Sequence, residues 1–214
     1  MYIPPSNAES RPEVLHDFMD AHPFATLVTA SSDGLFATHL PLVLDRSRGP
    51  HGTLQGHVAR ANPQHKQMLV LPEALVIFSG ADAYITPMWY AAKAEHGKVV
   101  PTWNYVAVHG YGTITFRDDH TFLRPHLEAL TKRHEGKRDE PWLLSDAPEE
   151  YIAQLERAIV GFELPISRLE GKWKMSQNRS SADIDGVVRG LAASPDVGDR
   201  AVGEIVQAVR PRAT

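Results

Sequence analysis

Phe24-Ala-Thr-Leu-Val-Thr-Ala30, followed by Ser31-Ser-Asp-Gly34 and then by Leu35 through Asp45, is the stretch that decides the architecture. The first run is rich in β-branched and apolar residues and predicts a strand. Ser31 to Gly34 is a hairpin turn signal. The strand resumes at Leu35, and Pro41 implies an edge position or a bulge, because proline cannot donate to a central ladder. Working outward, Gly52–His57 predicts a short strand and Ala74–Ser79 a buried one. Tyr84–Tyr90 continues extended after a break at Gly80. Asn104–Phe116 alternates as a long strand bent at Gly110 and Gly112, and Ile159–Leu169 is the last strand. The links between early strands are of turn length and carry no crossover helix, which argues for an antiparallel sheet. The proline and glycine bends suit a sheet that curls into a small barrel.

Helices are expected around these strands. Ser10-Arg11-Pro12-Glu13 matches a capping box with proline in the first turn, and that helix should stop near Ala21, before Pro23. Asn62-Pro63 opens a short helix to about Leu69, with Asn62 as cap. Ala91–Lys98 reads as a loop. Helical patterns follow at Asp119–His134, Pro148–Arg157, Ala182–Ala193 and Gly198–Val209. The expected organisation is one domain over residues 1–180 and a helical extension over 181–214 packed on it.

The chain has 214 residues, a net charge of −4 and no cysteine. Disulfides and cysteine-based metal or redox sites are thereby excluded, which fits a cytoplasmic protein. The N-terminus lacks a basic segment followed by an apolar run, so no signal peptide is read. No apolar stretch approaches the roughly 18–20 residues of a membrane span. The acidic balance gives no global attraction to nucleic acid, which is bound by neutralising its phosphates.

Three clusters carry the chemistry. In His57-Val58-Ala59-Arg60-Ala61-Asn62-Pro63, a strand end meets a helix start. Arg60 and Asn62 read there either as a phosphate fork and an anion-binding turn, or as a surface ion pair and a plain cap. Trp103 and Asn104 follow Pro101, and Trp89-Tyr90 follows Pro87; these read as a lid, a subunit seam or core packing. Gly171-Lys172-Trp173-Lys174-Met175-Ser176-Gln177-Asn178-Arg179 packs three cations, an aromatic ring and three uncharged polar groups into nine residues. It reads as a wall for a planar ring with an anionic tail, or as solvated charge. Along Thr38-His39-Leu40-Pro41, strand alternation puts Thr38 and Leu40 on one face and His39 on the other. His39, His57 and His109 lack the spacing of a metal-ligand pair, and no metal site is expected. Neither GxGxxG, GxxxxGK[ST] nor GxSxG occurs.

Six motifs run in order along residues 1–190: Met1-Tyr2-Ile3-Pro4, Thr38-His39-Leu40-Pro41, Gly56 to Pro63, Tyr84 to Tyr90, Val100 to Tyr105, and Lys174 to Arg179. Together they resemble the PaiB-type family of FMN-binding split-barrel proteins, known as negative transcriptional regulators. The resemblance implies a mainly β (α+β) fold. Its core would be a six-stranded antiparallel split β-barrel with peripheral helices and a helical C-terminus. It also implies a homodimer holding FMN at the subunit interface. By that resemblance Arg60 and Asn62 are ligands of the phosphate end. Thr38, His39 and Leu40 lie along the isoalloxazine. Trp103, Asn104, Lys174, Gln177 and Arg179 complete the pocket, in part from the partner subunit.

Three functions are compatible with these residues. The first is an FMN-binding regulator. The second is an FMN-dependent oxidoreductase acting on a small substrate, and the third a heme-binding split barrel using a histidine such as His109. For direct DNA contact, Ala182–Ala193 and Gly198–Val209 imitate a helix-turn-helix, but Asp183 and Asp185 stand where phosphate contacts would want lysine.

Overall fold

The computed structural model describes residues 1–67 and 73–210. Its strands are β1 (Ala8–Glu9), β2 (Phe24–Ser31), β3 (Gly34–Pro41), β4 (Val43–Asp45), β5 (Thr53–Ala59), β6 (Glu73–Ile85), β7 (Thr102–Thr113), β8 (Thr115–Arg117) and β9 (Ile159–Lys174). Its α-helices are α1 (Pro12–Ala21), α2 (Ala92–Glu95), α3 (His120–Glu135), α4 (Glu149–Glu156), α5 (Ser181–Ala192) and α6 (Val197–Ala208). The hydrogen-bonded order is β3-β2-β6-β7-β9-β5-β4, with β1 and β8 also paired to β9. The described ladders between named strands are antiparallel. The fold is the mainly β, antiparallel split-barrel class with helices around the strands and at the C-terminus.

The expected count of six strands becomes nine among the described residues: β4 and β8 are short pieces set off from longer strands, and β1 is a further short strand in the N-terminal arm. Pro41 ends β3 and Leu42 separates it from β4, where a single strand to Asp45 was expected. Ile114 separates β7 from β8 in the same way. Gly80 breaks nothing: β6 runs unbroken through it to Ile85. The chain then enters a 3₁₀ turn at Pro87–Trp89, where an extended segment was expected. Thr86 caps that turn by accepting from the Met88 amide. The expected loop at Ala91–Lys98 contains α2, and β9 extends to Lys174, five residues past the expected Leu169. The helix expected from Asn62 is a 3₁₀ turn at Pro63–His65, and its expected end near Leu69 lies outside the described residues.

Two compact units divide the chain. The larger comprises His16–Phe78 and His109–Leu169. Its hairpin pairs Leu27 with Thr38 and Ala25 with Leu40, and β5 pairs with β9 from Thr53↔Pro165 to Ala59↔Ile159. Leu27, Leu54, Val76, Phe162, Leu164 and Ile166 are sealed from solvent in it. Close approach explains Gly56, where a Cβ would overlap the Phe162 ring and Leu42. Helix α3, capped by Asp119 at the Phe122 amide, docks through a histidine pair in which His126 is buried and His57 half-buried. His57 Nδ1 on β5 lies 3.0 Å from His126 Nε2, and Phe122 stacks on the His126 ring. Burial holds both imidazoles below their ordinary range; for His126 burial and the neighbouring His57 push the value down to about 4.

The smaller unit comprises Met1–Leu15, Ser79–Val108 and Glu170–Thr214. In it β1 pairs with the end of β9, Ala8↔Lys172 and Glu9↔Gly171. Helices α5 and α6 bury Val187, Leu191, Val202 and Val206. Helix α5 presents Gly186 and Gly190, four residues apart, to Trp89. A Cβ at Gly186 would overlap the Trp89 carbonyl oxygen, and one at Gly190 would enter the indole.

Two predictions follow from this packing. A histidine whose folded value is depressed stabilises the fold above its unfolded value, about 6.5, and that contribution drains away as pH falls toward the folded value. Lowering pH from about 7.5 to about 5 should therefore remove about 2 kcal/mol through His126. Urea unfolding at the two pH values checks this, and His126→Phe should flatten the difference. In an open helix, glycine to alanine stabilises by about 1 kcal/mol. Gly186→Ala should instead lower the melting temperature, since overlap with Trp89 costs about 1–3 kcal/mol.

Candidate functional site

Five of the residues expected at the site lie in the larger unit. Thr38 on β3 is half-buried, and its Oγ1 donates to Gln64 Oε1 at 2.7 Å while accepting from Asn62 Nδ2 at 3.0 Å. Asn62 Oδ1 caps the 3₁₀ turn by accepting from the Gln64 amide at 2.9 Å. Gln64 is fully buried and its Nε2 donates to Thr29 Oγ1. Thr38 and Asn62 are thus brought together by a glutamine that sequence reasoning passed over. Its signal was faint: one amide side chain in the first turn after Asn-Pro.

His39 faces the other way, as alternation required, and its Nδ1 meets Thr26 Oγ1 at 2.9 Å. Leu40 is buried. Arg60 leaves this group. Its Nε donates to the Arg157 carbonyl at 2.8 Å and its Nη2 to the Ile159 carbonyl at 3.0 Å, with Asp118 3.7 Å from Nη1. The guanidinium thereby ties the end of β5 to the start of β9.

The other five lie in the smaller unit. Lys174 Nζ donates to the Thr102 hydroxyl and to the Trp103 carbonyl. Asn104 is almost fully buried, and its Nδ2 donates to Ser176 Oγ at 3.0 Å. Ser176 reaches that position with φ of 64°, a left-handed backbone that favours glycine. Gln177 stitches the turn, accepting from the Met175 amide at 2.7 Å and donating to the Trp173 carbonyl. The Arg179 guanidinium lies 4.6 Å from the centre of the buried Tyr90 ring. Trp103 is 54% exposed and meets Tyr84 edge-on at 6.0 Å.

Electrostatics set this group apart. Lys172 is buried, donates to the Tyr2 carbonyl at 3.0 Å and sits 5.0 Å from the Tyr105 ring centre. Burial holds Lys174 below the usual lysine range, and Lys172 and Arg179 add repulsion against a partial pull from Tyr105. Among the described residues, no carboxylate forms an ion pair with Lys172, Lys174 or Arg179. Clustered cations satisfied only by neutral oxygens and aromatic faces are suited to an anion.

A cavity of about 210 Å³ opens beside them. Lys174, Ser176, Asn178 and Arg179 line it from the turn after β9, and Thr102 and Asn104 from β7. The N-terminal arm contributes Ser6 and Asn7, which sequence reasoning did not place at the site. Trp103 and Gln177 stand outside the lining.

Three comparisons bear on this arrangement. The crystal structure of a conserved hypothetical protein from Mycobacterium tuberculosis shares the fold at a TM-score of 0.58 and 13% identity, over 84% of this chain and 94% of that one. An uncharacterized protein of Emericella nidulans is 36% identical over 226 residues, covering 89% of this chain and 90% of its own. Protease synthase and sporulation protein PAI 2 of Bacillus subtilis is 30% identical over 207 residues, covering 97% of each chain. Residues 1–168 match the family described as "Putative FMN-binding domain", and with the Bacillus relative this places the chain in that FMN-binding family, in its PaiB-type branch.

Proposed function

We propose that this chain is a cytoplasmic FMN-binding regulator of the PaiB type, acting as a homodimer that holds FMN at the subunit interface to repress transcription. The cofactor goes with the family. The observation that carries its binding here is the Lys172, Lys174 and Arg179 cluster, which has no carboxylate ion partner among the described residues. The donor set fits FMN, whose phosphate carries about −1.5 to −2 charges near neutral pH and whose ring wants flat neighbours and few directed donors. Bound flavin supplies one- and two-electron chemistry, and the protein's own groups bind it, orient it and tune it.

In this reading Thr38, His39, Leu40, Arg60, Asn62, Trp103, Asn104, Lys174, Gln177 and Arg179 are the flavin contacts. Residues 1–180 form the flavin-binding domain and 181–214 a helical extension. Support for a dimer comes from exposed apolar side chains of the smaller unit, Tyr2, Tyr84, Met88, Val100 and Trp103, of which Tyr84 and Trp103 meet edge-on. An exposed pair of aromatic rings such as Tyr84 and Trp103 suits a protein–protein contact. The regulatory role is carried by relationship to PAI 2, whose name speaks of protease synthesis and sporulation.

The absorbance spectrum of the purified protein tests the cofactor: flavin bands, with FMN rather than FAD released on denaturation, are expected. Lys174→Gln should weaken FMN retention by about tenfold, the loss of one charge-assisted bond. Full retention in that variant removes the cluster from the flavin site. For the dimer, Trp103→Asp should shift the sedimenting species toward monomer, and an unchanged sedimentation coefficient removes that face from the interface. Failure to shift any DNA fragment even at low salt would exclude direct DNA binding.

A further inference from the structure

We propose that the cavity between the end of α3 and the segment Pro141–Ser145 is a binding site for a free aromatic α-amino acid. The cavity measures about 490 Å³ and its lining lies wholly within the larger unit. None of the ten residues read above as flavin contacts lines it, so the inference stands without the flavin reading.

One wall is apolar and consists of four consecutive residues, Pro141, Trp142, Leu143 and Leu144. Trp142 is 44% exposed and Leu143 52%, so apolar surface that burial would stabilise is left in water. The volume falls within the roughly 300–1,000 Å³ of pockets that enclose a small ligand. This wall is held in place before anything binds. The Trp142 amide donates to Glu135 Oε2 at 3.3 Å, and Arg138 Nε pairs with the same oxygen at 3.0 Å. The Leu143 amide donates to Asp146 Oδ2 at 2.8 Å, which fixes the 3₁₀ turn Leu144–Asp146. Glu135 is thereby spent on the wall.

Two charges remain. Glu128 and Lys132 line the cavity from α3, four residues apart on one face of the helix. Glutamate followed four residues later by lysine is the order in which a helix best closes an ion pair on itself. Here the pair stands open. Both residues are exposed, and among the described residues neither has an ion partner. A ligand with an amine alone would meet Lys132 as a like charge, and one with a carboxylate alone would meet Glu128. A zwitterion satisfies both, with its ammonium at Glu128 and its carboxylate at Lys132. The Cβ atoms of such helical neighbours are about 5–6 Å apart, a span that two long side chains close onto one α-amino acid. The exposed Trp142 indole offers the flat partner that an aromatic ring prefers.

Calorimetric titration of the full chain with L-phenylalanine, phenethylamine and 3-phenylpropionate tests this. The three share a ring and differ only in their charged groups. Saturable uptake of L-phenylalanine is expected, with each singly charged analogue binding about fivefold more weakly. Glu128→Gln should weaken L-phenylalanine about fivefold and leave 3-phenylpropionate no weaker. Lys132→Gln should do the same with phenethylamine as the ligand spared. Both positions are exposed, where substitution leaves the fold intact. Trp142→Ala should weaken all three ligands. The proposal is overturned if L-phenylalanine is not taken up saturably, if either analogue matches it, or if both charge variants match wild type. A sedimenting mass that falls in Trp142→Ala without amino acid would assign the wall to a second copy of this chain, and that also overturns it.

Discussion

The register of β9 is the constraint on which the rest of this protein depends. This one strand pairs with β1, β5 and β8, and sixteen consecutive residues must keep their phase along it. Side chains alternate with a period of two, so a slip of one residue would turn every group on the strand to the other face. Phe162, Leu164 and Ile166 would leave the core of the larger unit. Lys172 would lose the Tyr2 carbonyl and the Tyr105 ring. Burial of the apolar half is thus fixed by the pairing with β5 and β8, and placement of the cationic half by the pairing with β1. The buried phenylalanine, leucine and isoleucine supply the driving force for the first.

The strands were legible where their pattern was local. Alternation and the Ser31–Gly34 turn gave the hairpin, and Asp119 and Pro148 marked helix starts within a residue. Long strands were harder, because glycine in a strand is ambiguous. Gly80 looked like a break and is an ordinary member of β6. At Gly56 the missing side chain makes room for the Phe162 ring, a fact set by a residue 106 positions later, as the numbering shows. The end of β9 was hidden because Gly171-Lys-Trp-Lys174 lacks an apolar period; its strand state comes from pairing with Ala8 and Glu9. The candidate site was legible as a set of polar clusters. Which donors each residue had already spent was not. Arg60 and Gln177 both serve backbone carbonyls, and nothing in their local sequence distinguishes that use from ligand binding.

Cations are deployed in two ways. Some are neutralised: Arg48 and Arg117 meet Glu163, Arg124 meets Glu149 and Glu156, and Arg210 meets Asp185. Lys172, Lys174 and Arg179 are instead held by carbonyls, a hydroxyl and aromatic faces. Neutral partners orient a cation and leave its field intact. With a net charge of −4, the chain as a whole repels anions, so this local excess is the feature that lets one approach.

Ser176 shows where stability and readiness compete within one residue. Its left-handed backbone costs about 1–2 kcal/mol that a glycine would not incur. A glycine there would relax the turn and leave the buried Asn104 amide without its hydroxyl partner. The chain keeps the costlier residue, trading a little of its folding free energy for a wall that is already rigid when a ligand arrives.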